Sequence, residues 1–231
     1  MADSTKPSFI GGCFSKLLFL ILLMAAVGLG TAAFLVTRPQ DLSDLGGYGP
    51  TAKPLPEREM KAVLKNAIDR GFAVTLSEAE INQWLGRTLQ TRQGGILKEK
   101  VTLDRVWVRL EEGRAEVVME RKLWGKPFTT SMYLQVERME DVKGTVTEVH
   151  RHGGPYHPDL PKPPRGGRFG KLVVPQGFLI LVEPAYEKLA AKYAEELELG
   201  FKDMSRISIE KGKLILDPRE PLGQEGMPAG F

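Results

Sequence analysis

The chain has 231 residues, with 32 Lys and Arg against 29 Asp and Glu and a formal charge of +3. Such a balance lacks the basic footprint of a nucleic-acid binder. The single cysteine, Cys13, rules out an internal disulfide or a multi-cysteine zinc site.

Taken in chain order, the first feature is an uncharged apolar run, Leu17 to Val36, between Lys16 and Arg38. About 20 residues at about 1.5 Å each cross the hydrocarbon of a bilayer as one helix. A cleavable signal peptide is the competing reading, with Thr31-Ala32-Ala33 as its cleavage site. Against it, the apolar stretch continues through Phe34-Leu35-Val36. Lys6 and Lys16 on one flank, and Asp41 and Asp44 beyond the other, place the N-terminus in the cytoplasm by the positive-inside bias. The expected location is the inner (cytoplasmic) membrane of the cell, single-pass, with an extracytoplasmic domain. Ile10-Gly11-Gly12-Cys13 precedes the apolar segment, whereas a lipobox follows one.

Residues 37–56 are rich in Pro and Gly without apolar periodicity and read as a stalk. Met60, Val63, Leu64 and Ile68 then recur at helical spacing, with Gly71 placed to end the helix. Phe72 to Leu76 reads as a short strand. Ser77-Glu78-Ala79-Glu80 fits a capping box opening a second helix, with Ile81, Trp84, Leu85 and Leu89 on one face.

From Val101 the apolar period becomes two. Val101 and Leu103 fall out of phase with Val106, Val108 and Leu110, which predicts a β-bulge near Asp104-Arg105. Turns at Glu112-Gly113 and Gly125-Lys126-Pro127 separate strands carrying Ala115, Val117, Met119, Leu123 and then Phe128, Thr130, Met132, Leu134, Val136. A strand from Gly144 to His150 closes an antiparallel meander with one wet face. Residues 151–171 read as a long Pro/Gly loop, Pro175 to Leu199 as a long helix kinked or begun by Pro184, the kink being favoured, and Ser205 to Leu216 as a closing hairpin. The boundaries are a cytoplasmic segment 1–16, an anchor 17–36, a linker 37–56, one α+β domain 57–216 and a disordered tail 217–231.

No nucleophile elbow, zincin pair or Ser/His/Asp pattern is present, so no catalytic residue, metal or cofactor is expected. His150, His152 and His157 lack fixed spacing and read as solvated loop histidines. Arg165, Arg168 and Lys171 in the basic loop are candidates for contact with anionic headgroups, each cation contributing about 1 kcal/mol near such a surface. Trp84 is expected in the core. Trp107 and Trp124 are expected to be partly exposed and available to a membrane or partner.

The order of an anchor, a helix, the segment Phe72-Ala73-Val74-Thr75-Leu76-Ser77-Glu78-Ala79-Glu80-Ile81-Asn82-Gln83-Trp84-Leu85, a meander, Gly170-Lys171-Leu172-Val173-Val174-Pro175, a long helix and a closing hairpin resembles the YpmS-like and LmeA-like membrane-associated bacterial proteins. Similar openings occur in YceB-like lipoproteins. These families look like bacterial relatives of the tubular lipid-binding proteins. The resemblance implies a strongly curved antiparallel sheet packed on a long C-terminal helix, with an apolar groove for a lipid tail. It supplies no lipid-contact residues position by position, and the basic, proline-rich loop departs from it.

The sequence therefore leads to an expected function: a membrane-anchored, non-catalytic lipid-binding module whose partner is the acyl chain of a membrane lipid. Its lining is expected at Met119, Met132, Val108, Val117 and Leu134, because thioethers adapt to variable tails. The alternative is a docking subunit of an envelope protein complex. A continuous groove would favour the first; a closed core with an exposed apolar patch would favour the second.

Overall fold

The computed structural model describes residues 9–49, 54–89, 101–141, 144–151 and 165–219. The chain is α+β, with a curved antiparallel sheet and an N-terminal apolar helix. That helix, α1 (Phe9–Val36), contains a segment from Phe14 to Val36 long and apolar enough to cross a membrane, and none of its most apolar window is buried by the domain. His152, His157 and the tail from residue 220 lie outside the described residues.

Helix α2 (Met60–Arg70) buries Met60, Leu64 and Ala67 on one stripe. It ends where Gly71 adopts φ 65°, which returns its N–H to the Ala67 and Ile68 carbonyls. Strand β1 (Val74–Ser77) runs into α3 (Glu78–Thr88) through a complete capping box. The Ser77 hydroxyl accepts from the Glu80 N–H at 3.2 Å, and the Glu80 carboxylate accepts from the Ser77 N–H at 2.9 Å.

Strands β2 (Val101–Glu111), β3 (Arg114–Leu123) and β4 (Lys126–Asp141) form the expected meander, and the register slips between Leu103 and Arg105. Beyond it, β5 (Gly144–Arg151) pairs with one end of β4. The other end pairs with β6 (Arg165–Phe169), which turns at Gly170 into β7 (Leu172–Pro175). The last part of the expected loop is therefore a hairpin: its Gly-rich composition marks close backbone approach. A Cβ on Gly167 would lie 2.0 Å from the Ser131 carbonyl oxygen.

The long C-terminal helix is absent. In its place stand a 3-10 helix (Gln176–Leu181), α4 (Glu183–Lys192) and α5 (Ala194–Phe201). Pro184 sits in the first turn of α4, where its missing N–H has no partner to lose, so it starts the helix rather than kinking it. Tyr193, at φ −112° and ψ 27°, breaks α4 from α5. Strands β8 (Arg206–Glu210) and β9 (Lys213–Asp217) join β1 in a second sheet of order β1-β9-β8. One continuous core lies between the large sheet, the small sheet and the helices.

Candidate functional site

Three places carry more than packing, and the first is where the chain leaves α1. The Lys171 N–H donates to the Leu35 carbonyl at 3.0 Å, capping the last turn of the apolar helix with the β6–β7 hairpin. Gly170, at φ 55°, has no room for a side chain: a Cβ there would lie 2.4 Å from the carbonyl oxygens of Val36 and Arg38.

From this clamp the chain does not continue as a stalk. It crosses the outer face of the sheet as a strap. The Gln40 N–H donates to Thr129 Oγ1 at 2.9 Å, and its Nε2 donates to Ser131 Oγ at 3.2 Å. Leu42 and Leu45 are buried against Trp107 and Val118, and Tyr48 meets the Trp107 ring edge-on at 5.0 Å. At its far end the Gly46 N–H donates to Glu78 Oε1 at 2.7 Å, while the Gly46 carbonyl accepts from Asn82 Nδ2 at 2.9 Å. The same two side chains of α3 satisfy the free edge of β2. Glu78 Oε2 accepts from the Leu110 N–H at 2.7 Å, and Asn82 exchanges hydrogen bonds with both backbone groups of Val108.

Beneath the strap lies a buried charge network. Glu116, fully buried, accepts from Arg109 Nη1 at 2.7 Å and from Ser131 Oγ at 2.6 Å. Arg109 also reaches Asp44 at 2.8 Å, tying the strap to the network. Arg168 donates to the Tyr133 hydroxyl at 2.7 Å and stands 3.6 Å from Glu116. Burial and the Glu116 charge push the Tyr133 phenol up.

The third place is the rim of the inner face. Arg121 stands between Leu103 on β2 and Phe128 on β4, directly opposite both. Its Nε is sealed from solvent without a partner, and its Nη2 lies 3.1 Å from the Met119 sulfur, a weak acceptor. Burial holds the guanidinium below its ordinary value, with the Tyr186 phenol acting weakly the other way. Nearby, the Tyr186 hydroxyl faces the carbonyls of Thr130 (3.0 Å) and Val117 (3.2 Å).

The expected site residues separate. Met119 and Met132 are in the closed core, at 0% and 4% exposure, with Val108, Val117 and Leu134 half-buried around them. No solvent-sized void touches Met119, so it lines no open groove. Arg168 is engaged by Tyr133 and Glu116 rather than free for headgroups, whereas Lys171 is exposed beside the end of α1. Arg165 begins β6. Trp84 is buried as expected, tilted against Tyr193 at 5.1 Å. Trp107 is buried too, contrary to expectation, because the strap covers its face. Trp124 is 69% exposed at the β3–β4 turn, as expected.

Sequence reasoning missed Glu78, Asn82, Glu116 and Arg121. For Arg121 the signal was present: the inward series Val117, Met119, Leu123 skips position 121, where parity calls for an apolar residue.

Among known families and curated proteins, none matches this chain.

Proposed function

We propose that the chain is a membrane-anchored, non-catalytic lipid-handling module that works at the bilayer surface. One observation supports this reading above the others: the hairpin that clamps α1 also carries an exposed apolar turn. Edge strand β7 touches α1, and the 3-10 helix that follows packs on β6 and β7. Leu179 of that helix is buried, while Phe178, Ile180 and Leu181 are 55%, 69% and 72% exposed. Three neighbouring apolar side chains left in water at the same margin as the membrane exit find their natural cover in lipid. Lys171 adds a cation beside them. The domain then meets the leaflet with its β7 margin and takes lipid at its surface, without a groove that swallows a whole tail.

Fluorophore quenching tests it on the full chain in liposomes with brominated acyl chains. In a Cys13→Ser background, a label at Leu181→Cys is expected to quench nearly as strongly as one at Phe34→Cys. A label at Lys211→Cys, beside the β2–β3 turn at the opposite end of the sheet, should not quench. A Leu181 label open to water favours the second reading, a docking subunit of an envelope assembly, which the closed core around Met119 and Met132 supports. That result would leave the apolar turn for a protein partner.

A further inference from the structure

Arg121 occupies an inward position of β3, two residues beyond the fully buried Met119 and two before the half-buried Leu123. The core thins along this row. Its cross-strand neighbours Leu103 and Phe128 are apolar and half-buried.

Among the described residues, the carboxylates close to it in sequence serve other groups. Glu120 faces the other side and accepts from Trp107 Nε1 at 3.1 Å. Asp104, at the bulge, pairs with Lys122 at 3.0 Å. Among the described residues the only hydrogen-bond partner of the Arg121 guanidinium is the Met119 thioether.

A guanidinium with a sealed, unsatisfied Nε is costly to fold around, since a buried cation wants an anion and each of its N–H groups wants an acceptor. A long polar stem can instead snorkel to water. Here the side chain lies back against Met119 instead. The residue nonetheless keeps partial exposure, so a ligand from outside can reach it.

We propose that Arg121 is the anion-binding group of a site at this rim, taking the phosphate or carboxylate head of an amphiphile whose first methylenes lie on Leu103 and Phe128. The planar fork of arginine suits both heads, because each offers two oxygens to parallel N–H groups. The apolar neighbours favour an anion with an attached tail over a bare one. The proposal rests on the lipid-surface reading and names the part of the lipid that the domain holds.

The test uses the full chain in phosphatidylcholine nanodiscs, titrated calorimetrically against a background of empty discs. The probes are dodecyl phosphate, inorganic phosphate and the uncharged dodecyl maltoside. Wild type is expected to bind dodecyl phosphate at least about tenfold more tightly than Arg121→Met or Arg121→Gln, the loss expected for one charge-assisted contact. Inorganic phosphate should bind at least tenfold more weakly, and dodecyl maltoside should not distinguish the three proteins.

Without ligand, Arg121→Met should melt no lower than wild type, because it removes an unpaired charge from an apolar row. Equal binding of dodecyl phosphate by wild type and either folded variant would overturn the site. Inorganic phosphate binding as tightly as dodecyl phosphate would make this a free-anion site and overturn the lipid assignment. If both variants melt well below wild type, the arginine serves the fold and the proposal fails. None of these outcomes depends on quenching at Leu181, so failure of this site and failure of the membrane-surface reading remain separate results.

Discussion

The two faces of the large sheet treat charge in opposite ways. On the outer face Arg109, Arg114 and Arg168 each reach a carboxylate, and two of them share the buried Glu116. On the inner face Arg121 reaches none among the described residues. The outer cluster is covered by a strap that brings its own polar groups, Gln40 and Asp44, so Arg109 meets a carboxylate on each side, Glu116 below and Asp44 above, although its Nε, like that of Arg121, has no hydrogen-bond partner. The inner face is covered by aliphatic and aromatic side chains, and the Tyr186 hydroxyl among them is spent on the Thr130 and Val117 carbonyls. Comparable burial thus has different meanings: on one face the charges hold the strap in place, and on the other an unmet charge marks where something from outside fits.

The largest expected effect breaks the outer face. Glu116→Ala leaves Arg109 and Ser131 without their buried acceptor, and removal of one partner from such a network costs about 3–5 kcal/mol. Denaturant unfolding of the detergent-solubilised full chain would read it. A loss below about 1 kcal/mol would show that water already reaches Glu116 beneath the strap.

The inner face is probed next by Met119→Trp. In a closed core the larger ring overpacks and destabilises by about 1–3 kcal/mol, measured by the same unfolding. A tryptophan accepted at no cost would reveal room that the closed packing excludes.

The smallest effect concerns α3, which turns Trp84 inward while Glu78 and Asn82 grip the strap. Burial alone would push the Glu80 carboxyl up, but hydrogen bonds from the Ser77 N–H and hydroxyl and from Arg58 outweigh it, so its pKa lies below the usual carboxylate range. A lowered folded value stabilises above the unfolded pKa and is lost as pH falls through the folded one. Glu80→Gln should therefore trail wild type at neutral pH and converge with it under acid conditions. A gap constant across the titration would mean that the carboxylate charge does not hold the cap.

Much of this framework was legible because local physics decided it. The αL ending at Gly71, the Ser77–Glu80 box, the phase slip at Asp104 and the turn at Gly113 each follow from a few neighbouring residues. What escaped depends on distant partners. Leu42 and Leu45 sit in a segment with no periodicity, and only the opposing Trp107 and Val118 make them core. Glu78 and Asn82 look like ordinary helix polar residues until the free edge of β2 is placed beside them. The break at Tyr193 has neither Pro nor Gly to announce it. The candidate site was visible only as a missing beat in the alternation at Arg121.

The clamp at Gly170 also has a mechanical meaning. A flexible tether of about 20 residues would let a domain wander over roughly 25 Å; a helix whose last turn is hydrogen-bonded into a hairpin allows no such excursion. In a bilayer, the segment from Phe14 to Val36 slightly exceeds the thickness of the hydrocarbon, and such helices lean to fit. Here leaning swings the attached domain like a hand on a lever. If α1 spans a bilayer, as the proposed function has it, thicker membrane would raise the β7 margin and thinner membrane would press it down, and the helix would convert local bilayer thickness into the angle at which the domain meets the surface.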